Sequence, residues 1–346
     1  MAARNSTRPP AARTWLVTGG AGFIGSNFVH LLFAQEPNAR VRVLDKLTYS
    51  ANLKNLQQFR GHKNFTFIKG DICDARVVAR AMAGAHVVVN FAAETAVDRS
   101  IDDPHTFLRT DVVGVHTLLQ QARKEPQLKR FIQISTDEVY GQIKRGSFYE
   151  TSELRPRNPY AAAKAGGDRL AYSFFATYGL PVIITRASNN YGPRAYLEKV
   201  IPLFVTNLID GQKVPVYGAG LQIRDWLYVA DHCRAIHMLV DRGINGEVYN
   251  VGGGQECTNI ALVRRILKLM HHDERSIRYV QDRPGHDFRY SLDCSKLQRL
   301  GWRPEHNLRS GLRSTIDWYT ANEDWWRPVK AGMEQRFFTG YWGRKR

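Results

Sequence analysis

The chain contains no apolar run approaching the roughly 20 residues of a membrane-spanning helix, although 43% of its 346 residues are hydrophobic. That excludes a helical membrane protein. The opening stretch MAARNSTRPPAAR has no apolar h-region, so it reads as no signal peptide. Cysteine is scarce. Cys73, Cys233, Cys257 and Cys294 stand far apart with no CxxC pair, which excludes a disulfide scaffold and a zinc ribbon. Reduced thiols in a cytoplasmic protein without a metal site are expected. Acidic residues are the minority, 32 against 49 Lys and Arg, giving a net charge of +17. Such an excess suits a nucleic-acid binder. Yet the basic residues are scattered, with short clusters only near the two ends, and no RNP, zinc-finger or basic-zipper pattern appears. The charge reads better as a basic enzyme for anionic substrates, with incidental phosphate affinity and no specific nucleic acid or membrane partner.

The composition is that of a folded chain, and the length suits about two domains. Short β-branched runs alternate with helical stretches. Strands are expected at 14–18, 41–44, 65–68, 86–92, 130–135 and 182–185, with helices at 22–35, 75–83 and 104–124 among them. Near-continuous apolar strands alternating with helices predict an α/β fold, a doubly wound parallel sheet covered on both faces. After about residue 190 the pattern loosens and Gly, Pro and Arg become frequent. The expected division is a disordered tail at 1–13, a Rossmann-type domain at 14–190, and a smaller, mainly substrate-binding part at 191–346. A strand at 247–251 is expected to return to the main sheet.

The first strand runs into Gly19-Gly20-Ala21-Gly22-Phe23-Ile24-Gly25. Gly19 allows the tight turn, Gly22 lets backbone N–H groups approach a diphosphate, and Gly25 lets the helix pack on the strand. The helix N-terminus adds unpaired N–H groups and positive dipole. Asp45 ends the second strand, placed to take both ribose hydroxyls of an adenosine. A carboxylate there would repel a 2′-phosphate, which favours NAD over NADP, though Lys46 stands beside it. Asp71, in Gly70-Asp71-Ile72, is placed to meet the adenine, and Phe91-Ala92-Ala93 leaves room for a flat ring or phosphates.

Asn158-Pro159-Tyr160-Ala161-Ala162-Ala163-Lys164 opens a long helix, with Asn as cap and Pro at its first position. Tyr160 and Lys164 share one face. An ammonium near the phenol is expected to lower its pKa and make it a base for a sugar hydroxyl. Ser135, ending the fifth strand, is expected to bond near the reacting hydroxyl or cofactor. Gly166 and Gly167 follow, read as permitting close backbone approach. After Ser135 come Thr136, Asp137 and Glu138, at the strand end where parallel sheets hold ligands. The bland reading is a helix cap. The chemical reading is β-elimination: beside a C4 ketone, one carboxylate removes the C5 proton while a carboxylic acid protonates the departing C6 hydroxyl.

Together these segments resemble the dTDP-glucose 4,6-dehydratases, extended members of the short-chain dehydrogenase/reductase superfamily. The resemblance runs from about residue 14 to about residue 342. It includes TGGAGFIGSN (18–27), DKLTY (45–49), GDICD (70–74), FAAE (91–94), VDRSI (97–101), STDEVYG (135–141) and NPYAAAKA (158–165). SNNYGP (188–193), EKVIP (198–202), QIRDWLYVADH (222–232) and DRPGHD (282–287) continue it. It implies a hydro-lyase that dehydrates a nucleotide-activated glucose, and a homodimer formed through helices at 104–124 and 160–178. Val112, Val115 and Leu119 would be interface or core.

The resemblance implies that Thr136 and Tyr160 engage the C4 hydroxyl, Glu138 takes the C5 proton and Asp137 protonates the C6 hydroxyl. It adds Phe23, Ile24, Ile72 and Thr110 to the cofactor site. Substrate would meet Thr95, Asn190, Lys199, Val200, Pro215, Tyr217, Arg224, Asn259, Arg283, His286 and Tyr341. Two features depart from the family pattern: Thr95-Ala96 where Ser-His is usual, and Leu197 where proline is common. They leave open the hexose and the base, thymine or uracil. A nucleotide-sugar 4-epimerase or decarboxylase is the nearest rival, which the Asp137-Glu138 pair argues against. A non-catalytic NAD or nucleotide-sugar binding protein is the more distant one.

Overall fold

The computed structural model describes residues 12–282 and 287–337. Most of the expected tail therefore lies outside the described residues. The β-branched runs form strands β1 (Thr14–Thr18), β2 (Arg40–Asp45), β3 (Phe65–Lys69), β4 (Val87–Asn90), β5 (Arg130–Thr136) and β6 (Val182–Ala187). Then come β7 (Asn189–Tyr191), β8 (Val214–Tyr217), β9 (Ile223–Tyr228), β10 (Val248–Val251), β11 (Glu256–Thr258) and β12 (Ile277–Val280). Seven of them make one sheet in the order β3-β2-β1-β4-β5-β6-β10. Every pairing in it is parallel. Strand β10 does return from the C-terminal half, beside β6. The order reverses between β1 and β4, and a crevice opens there beyond the strands' C-terminal ends.

Helices cover both faces, so the central strands read as unbroken apolar runs. The first are α1 (Phe23–Gln35), α2 (Ala75–Met82), α3 (Val97–Asp102), α4 (Pro104–Leu108), α5 (Val115–Ala122) and α6 (Pro159–Tyr178). The later ones are α7 (Val200–Ile209), α8 (Val229–Arg242), α9 (Asn259–Leu269), α10 (Ser295–Arg299), α11 (Leu308–Ala321) and α12 (Glu323–Phe337). Phe28 and Leu32 of α1 share one core layer with Ile236 and Leu239 of α8. Val78 of α2, Leu118 of α5 and Phe174 of α6 fill the layer on the other face. A separate core joins α7, α9, α11 and α12, with Phe204, Ile266, Ile316 and Trp326 among its members. The small sheets β11-β9-β7 and β12-β8 lie with this part.

The expected single helix at 104–124 is not one helix. A π-helical segment, Arg109–Gly114, separates α4 from α5. Close packing of α6 accompanies the break: a Cβ on Gly167 would lie 2.3 Å from the Asp111 carbonyl, and one on Gly166 would lie 2.9 Å from Val112 Cγ2. The two glycines therefore do permit close approach. Val115 and Leu119 are core residues, and Val112 is half-buried. Strand β4 is shorter than 86–92, ending at Asn90. There its side chain accepts from Thr18 Oγ1 at 2.5 Å and donates to Gln133 at 2.9 Å.

Candidate active site

The C-terminal ends of β1, β2, β4 and β5 open on one cavity. Its first wall is the glycine turn. Gly19 has φ +66°, a left-handed conformation that glycine adopts without strain. A Cβ there would sit 2.6 Å from the Ala92 nitrogen, and one on Gly25 would sit 2.4 Å from the Gly19 carbonyl. Gly22 stands in the N-cap position of α1. Phe23 and Ile24 line the same wall. Asp45 braces the turn, since its carboxylate accepts from the N–H of Ala21 at 2.9 Å and of Leu47 at 2.8 Å. Burial pushes this carboxyl up, and the two N–H bonds pull it partly back.

Lys46 does not stand free beside Asp45. Its ammonium lies 3.0 Å from Asp71 Oδ2, which Arg109 also approaches at 3.3 Å. Burial raises the Asp71 carboxyl, but the Cys73 N–H and the Lys46 charge outweigh it and hold the group low. Ile72, Ala92, Ala93 and Thr110 complete this half of the cavity. Ser135 Oγ is buried there with no hydrogen-bond partner among the described residues. A glycine cradle that a Cβ would fill, a carboxylate at its rim and an orphaned hydroxyl fit a dinucleotide.

Thr136, Asp137, Glu138, Tyr160 and Lys164 face the same cavity. Thr136 caps a short turn, Asp137–Tyr140, its hydroxyl accepting from the Glu138 N–H at 3.3 Å. The cap reading and the chemical reading thus hold together. Thr136 Oγ1 also donates to Asp137 Oδ1 at 3.1 Å. Asp137 is 3% exposed. Burial and then the neighbouring Glu138 push its carboxyl up to about 8, against the Thr136 hydrogen bond. It therefore keeps its proton at neutral pH. Asn158 Nδ2 approaches Glu138 Oε2 at 3.4 Å.

The expectation for Tyr160 needs correction. Its phenol is held well above its ordinary value, first by burial and then by the carboxylates of Glu138 and Asp111, with a Thr136 hydrogen bond opposing. Lys164 is turned elsewhere. Its ammonium donates to the Ile134 carbonyl at 2.7 Å and faces Asp111 Oδ1 at 3.6 Å, too long for a hydrogen bond. Among the protein's own groups, the carboxylates outweigh the ammonium at the phenol.

Asp111 was not singled out from the sequence. It is 1% exposed, sits in the π-helical segment, and accepts from the Glu94 N–H at 3.2 Å. Burial pushes it up to about 7 against the pull of Lys164. No local pattern marks it, because its partner lies 53 positions away in sequence. His232 was also missed as a site residue. Its buried ring stays neutral, lowered to about 3 by burial. Its Nδ1 lies 2.9 Å from Asn190 Oδ1, so Nδ1 carries the proton and donates, fixing the Asn190 amide, whose Nδ2 donates to the Ser188 carbonyl.

The expected substrate contacts divide. Thr95, Asn190 and Lys199 line the cavity, and Lys199 Nζ donates to the Thr95 carbonyl at 3.0 Å. Val200, Pro215, Tyr217, Arg224 and Asn259 do not line it. Arg224 is buried, donating to the carbonyls of Ile223 and Asp287 and lying over the Tyr290 ring. Arg283, His286 and Tyr341 lie outside the described residues. Among the described residues no cluster of His, Cys, Asp or Glu is built to hold a metal ion, and no helix is long and apolar enough to cross a membrane.

Residues 16–315 match the family described as GDP-mannose 4,6 dehydratase. The sequence is 50% identical over 334 residues to a dTDP-glucose 4,6-dehydratase of Streptomyces niveus, covering 95% of this chain and 99% of that protein. The fold superposes with a TM-score of 0.88 on the dTDP-glucose 4,6-dehydratase of Streptomyces venezuelae crystallised with NAD and dTDP. That pair is 48% identical over 91% of this chain and 99% of the other. For the enzyme of Bacillus anthracis in complex with NAD the TM-score is 0.86 at 45% identity, covering 92% of this chain and 100% of that one.

Proposed function

This chain belongs to the dTDP-glucose 4,6-dehydratase family, and from that membership we propose that it dehydrates dTDP-glucose to the 4-keto-6-deoxy sugar. The enzyme is an NAD-dependent hydro-lyase. The observation that carries this reading is the Asp137-Glu138 pair at the end of β5, with Asp137 held protonated up to about pH 8. A simple epimerase needs no such acid beside a second carboxylate.

Gly19, Gly22, Gly25, Asp45 and Asp71 would hold the dinucleotide, with Ser135 and Thr110 along its path. NAD, when bound, supplies a hydride acceptor for C4 that later returns the hydride to C6, and brings a positive charge in its oxidised form. Tyr160, ionised once a bound positive charge offsets the carboxylates that raise its phenol, takes the C4 hydroxyl proton, and Thr136 orients that hydroxyl. Lys164 holds the strand end through the Ile134 carbonyl and offsets Asp111. The C4 ketone acidifies the C5 proton, and Glu138 removes it. Asp137 protonates the departing C6 hydroxyl, which leaves as water. Glu138 then gives its proton back to C5. Lys199 and Asn190, which line the cavity, would meet the nucleotide diphosphate, whose charge strengthens both bonds.

Exposed Leu108, Val113, Tyr172 and Tyr178 on the α4–α6 face support a homodimer joined there. Four free thiols support a cytoplasmic enzyme. The test is mass spectrometry of the purified protein incubated separately with dTDP-glucose and UDP-glucose, without added NAD. Loss of one water from dTDP-glucose is expected. No mass change with either sugar, in protein that carries NAD, would overturn the reading.

A further inference from the structure

The turn that carries Asp137 and Glu138 ends at Tyr140, and a chain of buried polar groups holds Tyr140 from behind. Its ring is buried and stacks on Phe148, with centroids 5.0 Å apart. Its hydroxyl accepts from Arg186 Nη1 at 2.8 Å and donates to Asn250 Oδ1 at 2.8 Å. Arg186, on β6 beside β5, is 1% exposed. The other edge of its guanidinium forks onto Asp168: Nε donates to Oδ2 at 2.8 Å and Nη2 to Oδ1 at 3.0 Å. Arg169 adds a bond to the same carboxylate at 2.9 Å. Asp168 is fully buried on α6, where it follows Tyr160 and Lys164 at intervals of four residues, about one helical turn each. Asn250, on β10, closes the far end by donating to the carbonyls of Phe148 at 3.0 Å and Asp293 at 3.2 Å.

We propose that this strut, from Asp168 through Arg186 and Tyr140 to Asn250, holds the Asp137–Tyr140 turn in register with Tyr160, which makes Tyr140 a positioning residue for the elimination. The proposal rests on the 4,6-dehydration reading above. In that reading Tyr160, on α6, acts at C4, while Glu138 and Asp137, on the turn, act at C5 and C6. Two separate segments must therefore address neighbouring carbons of one sugar ring. The strut ties the helix of the first to the end of the turn that bears the second.

Two observations point to geometry rather than stability as its role. An ion pair this deep adds little net stability, because removing both charges from water offsets their attraction. The Tyr140 ring already packs on Phe148, so the hydroxyl is not needed to fill space. What the hydroxyl adds is direction. Burial pushes the phenol up to about 12 against the Arg186 charge, so the group keeps the proton it gives to Asn250. Among the described residues, none of these four side chains has a buried polar atom without a partner.

Tyr140→Phe keeps the ring and removes the pivot. The test mixes the NAD-loaded variant with dTDP-glucose and follows NADH absorbance beside water loss. Reduction of bound NAD should stay within about 3-fold of wild type while water loss falls ~10- to 100-fold, the scale of a misplacement of about 1 Å. NADH should therefore build up beyond the wild-type level. A merely structural role would lower both steps together, with no such build-up. Tyr249→Phe is the control. It removes a hydroxyl on the opposite face of β10 that accepts from the Ile244 N–H at 3.0 Å, and it should leave the balance of the two steps unchanged. Arg186→Lys keeps the charge, loses the fork and should reproduce the build-up. Melting temperature and bound NAD report folding. Water loss at the wild-type rate in Tyr140→Phe, or slowing of both steps without NADH build-up, would overturn the strut. If Tyr140→Phe does not fold, Arg186→Lys decides by the same readout. Loss of folding in both would make the network a stability element and would equally overturn the proposal. Absence of water loss by wild type would sink the dehydratase reading itself. Water loss by wild type without NADH build-up in the variants would sink only the strut.

Discussion

The Asp137 carboxyl is shifted from its ordinary 3.8 to about 8, chiefly by burial. In the unfolded chain the same group ionises near 3.9. Between those values the unfolded chain has released its proton and the folded chain has kept it. The folded state then binds one more proton, so stability falls as pH rises. Each pH unit is worth at most about 1.4 kcal/mol, and four units set a ceiling of about 6 kcal/mol. Above about pH 8 both states are ionised and the loss is complete. Asparagine keeps the shape of the side chain and cannot ionise. We expect Asp137→Asn to match wild type within about 1 kcal/mol near pH 4.5 and to exceed it by several kcal/mol near pH 8.5. In a chain of this size that is roughly 2 °C in melting temperature per kcal/mol. The assay is thermal melting across that pH range at matched NAD content, with turnover measured alongside. The variant should lose turnover throughout, and wild-type turnover should fall as pH rises through about 8, when the acid gives up its proton. A stability difference that stays constant with pH, or that shrinks as pH rises, would refute the placement of a neutral Asp137 in the folded protein.

Tyr160→Phe should abolish reduction of bound NAD by substrate. Glu138→Gln should still reduce it and accumulate NADH, while water loss drops ~100-fold or more; NADH absorbance on mixing separates the two, and normal accumulation in Tyr160→Phe would remove that residue from the chemistry. Asp111→Asn removes a buried carboxylate that raises the Tyr160 phenol. In a Glu138→Gln background the acid limb of NAD reduction should then move roughly one unit lower in pH, and an unmoved profile would show the two groups uncoupled. Gly167→Ala places a Cβ 2.3 Å from the Asp111 carbonyl. We expect a loss of roughly 1–3 kcal/mol from overpacking, against no loss for Gly332→Ala, whose Cβ meets no atom within 4 Å. Equal denaturation midpoints for the two would contradict the tight seat of α6 on the π-helical segment.

The alternation of β-branched runs with helical stretches determined the parallel sheet, because strands buried on both faces must be apolar along their whole length. The glycine turn was equally legible, since a left-handed residue and two close approaches leave few alternatives to Gly19, Gly22 and Gly25. Thr136, Asp137, Glu138, Tyr160 and Lys164 were found from short spacings, which local geometry preserves. Tertiary structure decided what those groups experience. Burial and carboxylates from two segments set the Tyr160 phenol, and Lys164 turned out to answer to Asp111, 53 positions away in sequence, rather than to Tyr160. The break in the helix at 109–114 goes with the close seat of α6, and His232, though it ends the QIRDWLYVADH stretch, meets its partner Asn190 across 42 positions of sequence. Lys46 looked like a neighbour of the cofactor carboxylate until the fold paired it with Asp71. Charge, burial and partnership are properties of distance in space, and a one-dimensional spacing carries them only where the partners share a helix turn or a strand end.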